Sequence, residues 1–177
     1  MMDVVYALKR FDFLGKEFLT WLWFALENQP DTLRALDAQM SSLEIGNRLV
    51  LHNKNQQNTE TVAIRGDAAG MEEGVLALRK GALVAEMNLV YRSGDESWQF
   101  TLRGDTLDPA SLKVPQTGRL ETKENIEGTA IEKYHLYRRV VDLIRSLFSH
   151  FLELRLDSRW QSAVLPSFRT WINTKEG

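Results

Sequence analysis

The chain has 177 residues, a net charge of −2, no cysteine, 44% hydrophobic residues and 26% charged ones. That length fits a single domain, residues 1–177, able to bury a sizeable core, and the composition excludes wholesale disorder. The absence of thiols excludes a disulfide framework, thiolate metal ligation and a cysteine nucleophile.

The opening MMDVVYALKRFDF has no basic region followed by an apolar core. Nor does any apolar stretch approach the ~20 residues that span a bilayer, so the reading is a cytoplasmic protein without a membrane partner. In the first element, Leu14, Phe18, Trp21, Leu22 and Ala25 recur at helical spacing, with Leu19, Trp23 and Leu26 on an adjoining face. Only Lys16, Glu17, Thr20 and Glu27 form a polar stripe, which predicts a helix buried on most sides, in the domain's own core or against another chain. Phe18, Trp21 and Trp23 are the candidate interface residues. Pro30 and Asp31 end the helix.

Arg48–Asn53 and Glu60–Arg65 read as two strands joined by a polar tip, Lys54 to Thr59. A short helix over Met71–Lys80, stopped by Gly81, precedes a second hairpin. In that hairpin Leu83, Ala85, Met87, Leu89 and Tyr91 alternate along one strand and Trp98, Phe100 and Leu102 along its mate, with the turn at 92–96. Each strand has one apolar face. The fold class is therefore α+β, an antiparallel sheet of two or more hairpins covered on one face by two long helices.

Residues 105–128 read as an irregular excursion and 129–177 as a helical C-terminal part. A short strand is expected at Ile131–Tyr137, then a long helix over Arg138–Leu156 with Val140, Leu143, Ile144, Leu147, Phe148, Phe151 and Leu154 inward. A last segment with Trp160, Phe168 and Trp171 packs back on the domain, interrupted at Pro166. Residues 1–128 hold 14 basic and 19 acidic side chains, and residues 129–177 hold 8 and 5. That balance is weaker than the basic excess of most free-standing nucleic-acid binders.

No reaction centre stands out, so the chain is read as a non-enzyme without catalytic residues, metal ligands or cofactor. His52, His135 and His150 are far apart and lack metal-ligand spacing; G-x-S-x-G, P-loop and G-x-G-x-x-G runs are absent. Asp108 with Glu121-Thr122-Lys123 resembles the acid plus E-x-K set of Mg²⁺ nucleases. It falls in the least regular part of the chain, where rigid ligand support is not expected. For phosphate contact the candidates are the hairpin tip, with Lys54 and Gln56 and with Arg48 and Arg65 near its base, and the late-helix arginines Arg138 and Arg145, which Asp142 and Glu153 dilute. A solvated turn and a solvated helix face are the competing readings.

The order of a Phe18-Leu19-Thr20-Trp21 helix, a Gly46-Asn47-Arg48-Leu49-Val50-Leu51 strand and a Gly81-to-Leu89 strand resembles the C-terminal half of the recombination-associated protein RdgC family. Tyr134 to Leu154 fits the hydrophobic helix near that family's C-terminus. The resemblance implies an α+β protein that dimerises into a closed ring and binds double-stranded DNA through the ring's basic interior without sequence preference, with no catalysis. It also implies that a separately encoded N-terminal half, or a homo- or hetero-oligomer, completes the ring. In that family a Lys-Gln pair after the Gly-led strand is linked to ring function, and Lys54-Asn55-Gln56-Gln57 stands in that region. The alternative is a protein-interaction subunit with no DNA contact, and a metal-dependent nuclease stands behind both.

Overall fold

The computed structural model describes residues 13–54, 59–65, 68–116 and 123–174, with only the backbone of 54, 68, 69 and 123–125. The elements are α1 (Phe13–Asn28), α2 (Pro30–Arg34), β1 (Ser42–Lys54), β2 (Thr59–Arg65), α3 (Ala68–Arg79), β3 (Leu83–Ser93), β4 (Glu96–Arg103), β5 (Pro109–Lys113) and α4 (Lys123–Leu156). A π-helical turn at Trp160–Val164 runs into α5 (Leu165–Thr174). The five strands form one antiparallel sheet in the order β2-β1-β3-β4-β5, so the two expected hairpins join through β1 and β3.

Pleating sends alternate residues to opposite faces, and the register sorts them cleanly. Ile64, Leu49, Met87 and Leu102 lie in one row, and Leu89 with Phe100 and Tyr91 with Trp98 in others, all on the face that carries the core. Against that face lies α1, with every residue from Phe18 to Ala25 buried. Its apolar circumference finds a neighbour on each side. Phe18 meets Phe148 and Phe151 of α4 at 5.2 and 5.6 Å, Phe24 meets Phe168 and Trp171 of α5, and Trp23 stands edge-on to Trp171 at 5.4 Å. The polar stripe is partly absorbed as well, because the buried Thr20 hydroxyl donates to the Lys16 carbonyl and accepts the Val84 N–H at 2.9 Å. That amide lies beside the register shift between Val50 and Leu51, where the β1–β3 ladder is irregular.

Three expectations change. Residues 131–137 are not a strand but part of α4, which runs 34 residues; Glu132, Lys133 and Leu136 are good helix formers and the stretch lacks the alternation a half-buried strand needs. The 105–128 excursion contains β5, paired with β4 through Gln99–Lys113 and Thr101–Ala110, and the start of α4. Pro166 does not end the helical run: the π-helical turn Trp160–Val164 passes directly into α5, and the change of helix type falls just before the residue that has no N–H to donate. Gly81 behaves as expected, ending α3 with a left-handed φ of 90°.

One polar clamp ties the layers together. Buried Tyr91 donates its hydroxyl to Asp37 Oδ2 at 2.7 Å and accepts Arg139 Nε and Nη2 at 2.9 and 2.7 Å, while the guanidinium lies over Trp98. Burial, followed by the Asp37 carboxylate, raises the Tyr91 pKa above its ordinary value. The folded chain thus holds this proton more tightly than the unfolded chain. The resulting stability is fully present below the unfolded tyrosine pKa of about 10 and is lost as pH rises through the higher folded value. Urea midpoints followed from about pH 8 to about pH 11 should fall steeply in the alkaline limb for the wild type, and Tyr91→Phe should flatten that limb while lowering stability at neutral pH.

Candidate nucleic-acid interface

The sheet face opposite the helices is polar. Rows across it run Arg65–Arg48, then Val50–Glu86–Arg103, Glu44–Val90–Gln99–Lys113 and Ser42–Arg92–Ser97, with Asn88 beside Thr101. Val50 is buried yet stands outside the core cluster, as a residue on this second face must. Arg48, Arg65, Arg92, Arg103 and Lys113 are all exposed, against Glu44 and Glu86 as the acidic residues of the same rows. A chain that is acidic overall therefore gathers a basic excess here.

Some of these cations are engaged. Arg92 pairs with Glu44 at 2.9 Å, and the Ser42 hydroxyl together with Arg92 holds the Glu44 carboxyl below the usual carboxylate range. Arg103 pairs with Asp105 at 3.0 Å, within its own turn. The Arg48–Arg65 pair differs. These residues are direct cross-strand partners, where like charges repel, and among the described residues Arg48 reaches only Glu86, at 3.8 Å with 61% of its side chain exposed. Two guanidinium groups held side by side in solvent offer what a phosphate needs, N–H donors from two directions in a positive field.

The centre of the face is a closed amide network. Asn88 donates to the Phe100 carbonyl and Thr101 Oγ1 and accepts the Gln99 side-chain amide and the Asn47 N–H. No Phe, Tyr or Trp belongs to these rows, so among the described residues the face lacks the stacking platform that single-strand binders use.

No known protein family, curated protein or solved structure matches the chain. Lys54 closes β1 opposite Thr59, at the far end of the hairpin from Arg48 and Arg65; its side chain and the whole of Gln56 lie outside the described residues. Arg138 and Arg145 are on α4, away from the sheet face, and both reach Asp142. Arg138 binds it through Nε at 3.0 Å, Arg145 stands at 3.9 Å, and Tyr134 and Asp142 hold Arg138 more firmly protonated than usual. The late-helix arginines are thus partly neutralised before any ligand arrives.

Phe18, Trp21 and Trp23 are at most 2% exposed and leave nothing to offer a second chain in this fold. Of the nuclease-like set, Asp108 follows β4, Glu121 and Thr122 lie outside the described residues, and Lys123 begins α4. Among the described residues no three His, Asp or Glu side chains gather to hold a metal ion, and no helix is long and apolar enough to cross a membrane. The sheet-face arginines Arg92 and Arg103 and the residue Lys113 were not legible as a group, because only the register of five strands brings them together.

Proposed function

We propose that this chain is a DNA-contacting component of a recombination or replication assembly, of the RdgC-like kind its sequence resembles, gripping the duplex backbone with the open face of its sheet. The observation that carries the reading is the exposed cross-strand pair Arg48–Arg65, a repulsive arrangement that a phosphate would relieve. Five strands spaced about 4.8 Å apart put the edge strands roughly 19 Å from each other, so Arg65 and Lys113 would meet phosphates separated by little more than half of the ~34 Å helical turn. The amide-filled, aromatic-free centre favours backbone contact over base stacking, and so duplex over single strand. The modest charge fits weak binding that depends on assembly with further copies or a separate partner chain.

Fluorescence anisotropy with a labelled duplex, without Mg²⁺ and at two salt concentrations, tests this. Binding should weaken steeply with salt, and Arg48→Glu with Arg65→Glu should cost more than about tenfold and flatten the log–log salt slope by about 0.9 for each phosphate that is no longer neutralised. Arg138→Glu with Arg145→Glu should cost much less. Duplex binding absent at low salt, or unchanged in the Arg48/Arg65 variant, would overturn the proposal.

A second reading, the protein-interaction subunit, is favoured by the stretch of α4 from Ile126 to Val141. There Ile126, Ile131, Tyr134, Tyr137 and Val141 are all exposed. Glu127 and Glu132 precede Lys133 and Arg138 along the helix, so an antiparallel copy would set acid opposite base. Salt-insensitive self-association that Tyr134→Glu abolishes, with no DNA binding, would select this reading over the first.

A further inference from the structure

On the helical side of the molecule, remote from the sheet face, α1, the end of α4, the π-helical turn, α5 and the start of β3 line a half-open cavity of about 270 Å³. At ~30 Å³ per water this is about nine water volumes, the size of a single-ring organic molecule. We propose that it binds a small aromatic carboxylate.

The walls supply the aromatic half of that description. Trp21, Trp160 and Phe168 line the cavity together with Leu83, Val164 and Leu165, and the first and last residues of the π-helical turn, Trp160 and Val164, face it. A π-helical turn carries one residue more per turn than an α-helix, is rare, and occurs disproportionately at functional sites. Here it delivers Trp160 to the wall, edge-on to Phe151 at 5.6 Å.

The polar groups supply the carboxylate half: beside Glu17 and the Gln161 amide, which can both donate and accept, the unspent groups are N–H donors. Arg155 spends Nε on Glu17 Oε2 at 3.0 Å and lays its guanidinium over the Trp160 ring at 5.3 Å, while neither Nη has an acceptor among the described residues. Its side chain is 34% exposed, so it stands at the mouth rather than in open water. Trp21 Nε1 is buried without a hydrogen-bond partner, the one such side-chain atom among the described residues. A planar anion answers this surplus: its ring enters the apolar walls and its carboxylate takes the two unspent Nη groups as a charge-assisted fork. A cation would meet Arg155 at the entrance, and a neutral amide would forgo the charge-assisted part of the bond. Glu17 sits on the Nε side of the same guanidinium and opposes a second carboxylate there, so removing its charge should tighten binding.

Intrinsic tryptophan fluorescence of the full chain, titrated with phenylacetate and with phenylacetamide, reads the site through Trp21 and Trp160. Phenylacetate should change the emission saturably and bind about tenfold or more tightly than the amide. Arg155→Met should erase that preference while leaving weak binding of the amide, Glu17→Gln should strengthen phenylacetate binding several-fold, and Val164→Phe, which fills the cavity and leaves Arg155 in place, should abolish both responses with the thermal midpoint retained. No saturable response to phenylacetate at millimolar concentration, equal affinity for acid and amide, or an acid preference that survives Arg155→Met would each overturn the proposal. None of these outcomes bears on DNA binding by the sheet face.

Discussion

Gly15→Ala is expected to destabilise the chain by about 3 kcal/mol or more, enough to threaten folding at 37 °C. In an exposed helix the same change gains up to about 1 kcal/mol, because alanine is the better helix former. The site reverses the sign. A Cβ on Gly15 would overlap the Gly104 carbonyl oxygen and stand 2.8 Å from its carbon, and both belong to the backbone, where no side-chain rotation gives relief. Helix α1 would have to lift from the end of β4, yet it is gripped by the sheet, α4 and α5, so the displacement would propagate into packing on three sides. Gly128→Ala is the internal control: it lies in α4 with nothing within 4 Å of the added carbon, and should be neutral or slightly stabilising. Urea unfolding of the two variants beside the wild type decides the matter. Equal behaviour of Gly15→Ala and Gly128→Ala would mean that α1 does not approach β4 as described.

The close approach at Gly15 also shows where a sequence stops revealing its fold. Periodicity reports side chains that are present, and α1, both hairpins and the inward face of α4 were legible because their apolar residues repeat at 3.6 or 2. A glycine chosen for close approach carries no such signal; Gly15 looks like any residue of the FLGKEF run. Strand β5 was hidden for a related reason, since Pro109–Lys113 has only Leu112 as a large apolar residue and takes its identity from pairing with β4. The first half of α4 reads as a strand over Ile131–Tyr137 despite poor alternation; Ile131, Tyr134 and Tyr137 are exposed on the helix.

The candidate site was legible only in part. Arg48 and Arg65 were visible at the base of the first hairpin, but that they face each other depends on a register counted back from the tip, and that Arg92, Arg103 and Lys113 join them depends on sheet order. Asp142 beside Arg138 and Arg145 was readable from i, i+4 and i, i+3 spacing. The structure turns that dilution into ion pairs and moves the weight of the DNA hypothesis from the helix to the sheet.

Trp23→Ala distinguishes a core tryptophan from an interface one, a choice that spacing alone leaves open because both bury an apolar stripe. Trp23 is fully buried, donates Nε1 to Glu27 Oε1 at 2.7 Å and packs edge-on to Trp171, whose own Nε1 donates to Glu27 Oε2 at 3.0 Å. One carboxylate therefore spans two indoles and fastens α5 onto α1. Removing the Trp23 ring empties a space that neighbouring Gly74 is too small to fill, strips one partner from Glu27 and unseats Trp171. Large-to-small changes of this kind cost about 3–5 kcal/mol, so the variant should unfold at a much lower urea concentration with its molar mass unchanged. An interface tryptophan would behave the other way, losing assembly at nearly constant monomer stability. Unfolding curves and light scattering on the same samples separate the two. A Trp23→Ala variant that keeps its urea midpoint but falls in mass would return α1 to the surface and, with it, reopen the partner-binding reading for Phe18 and Trp21.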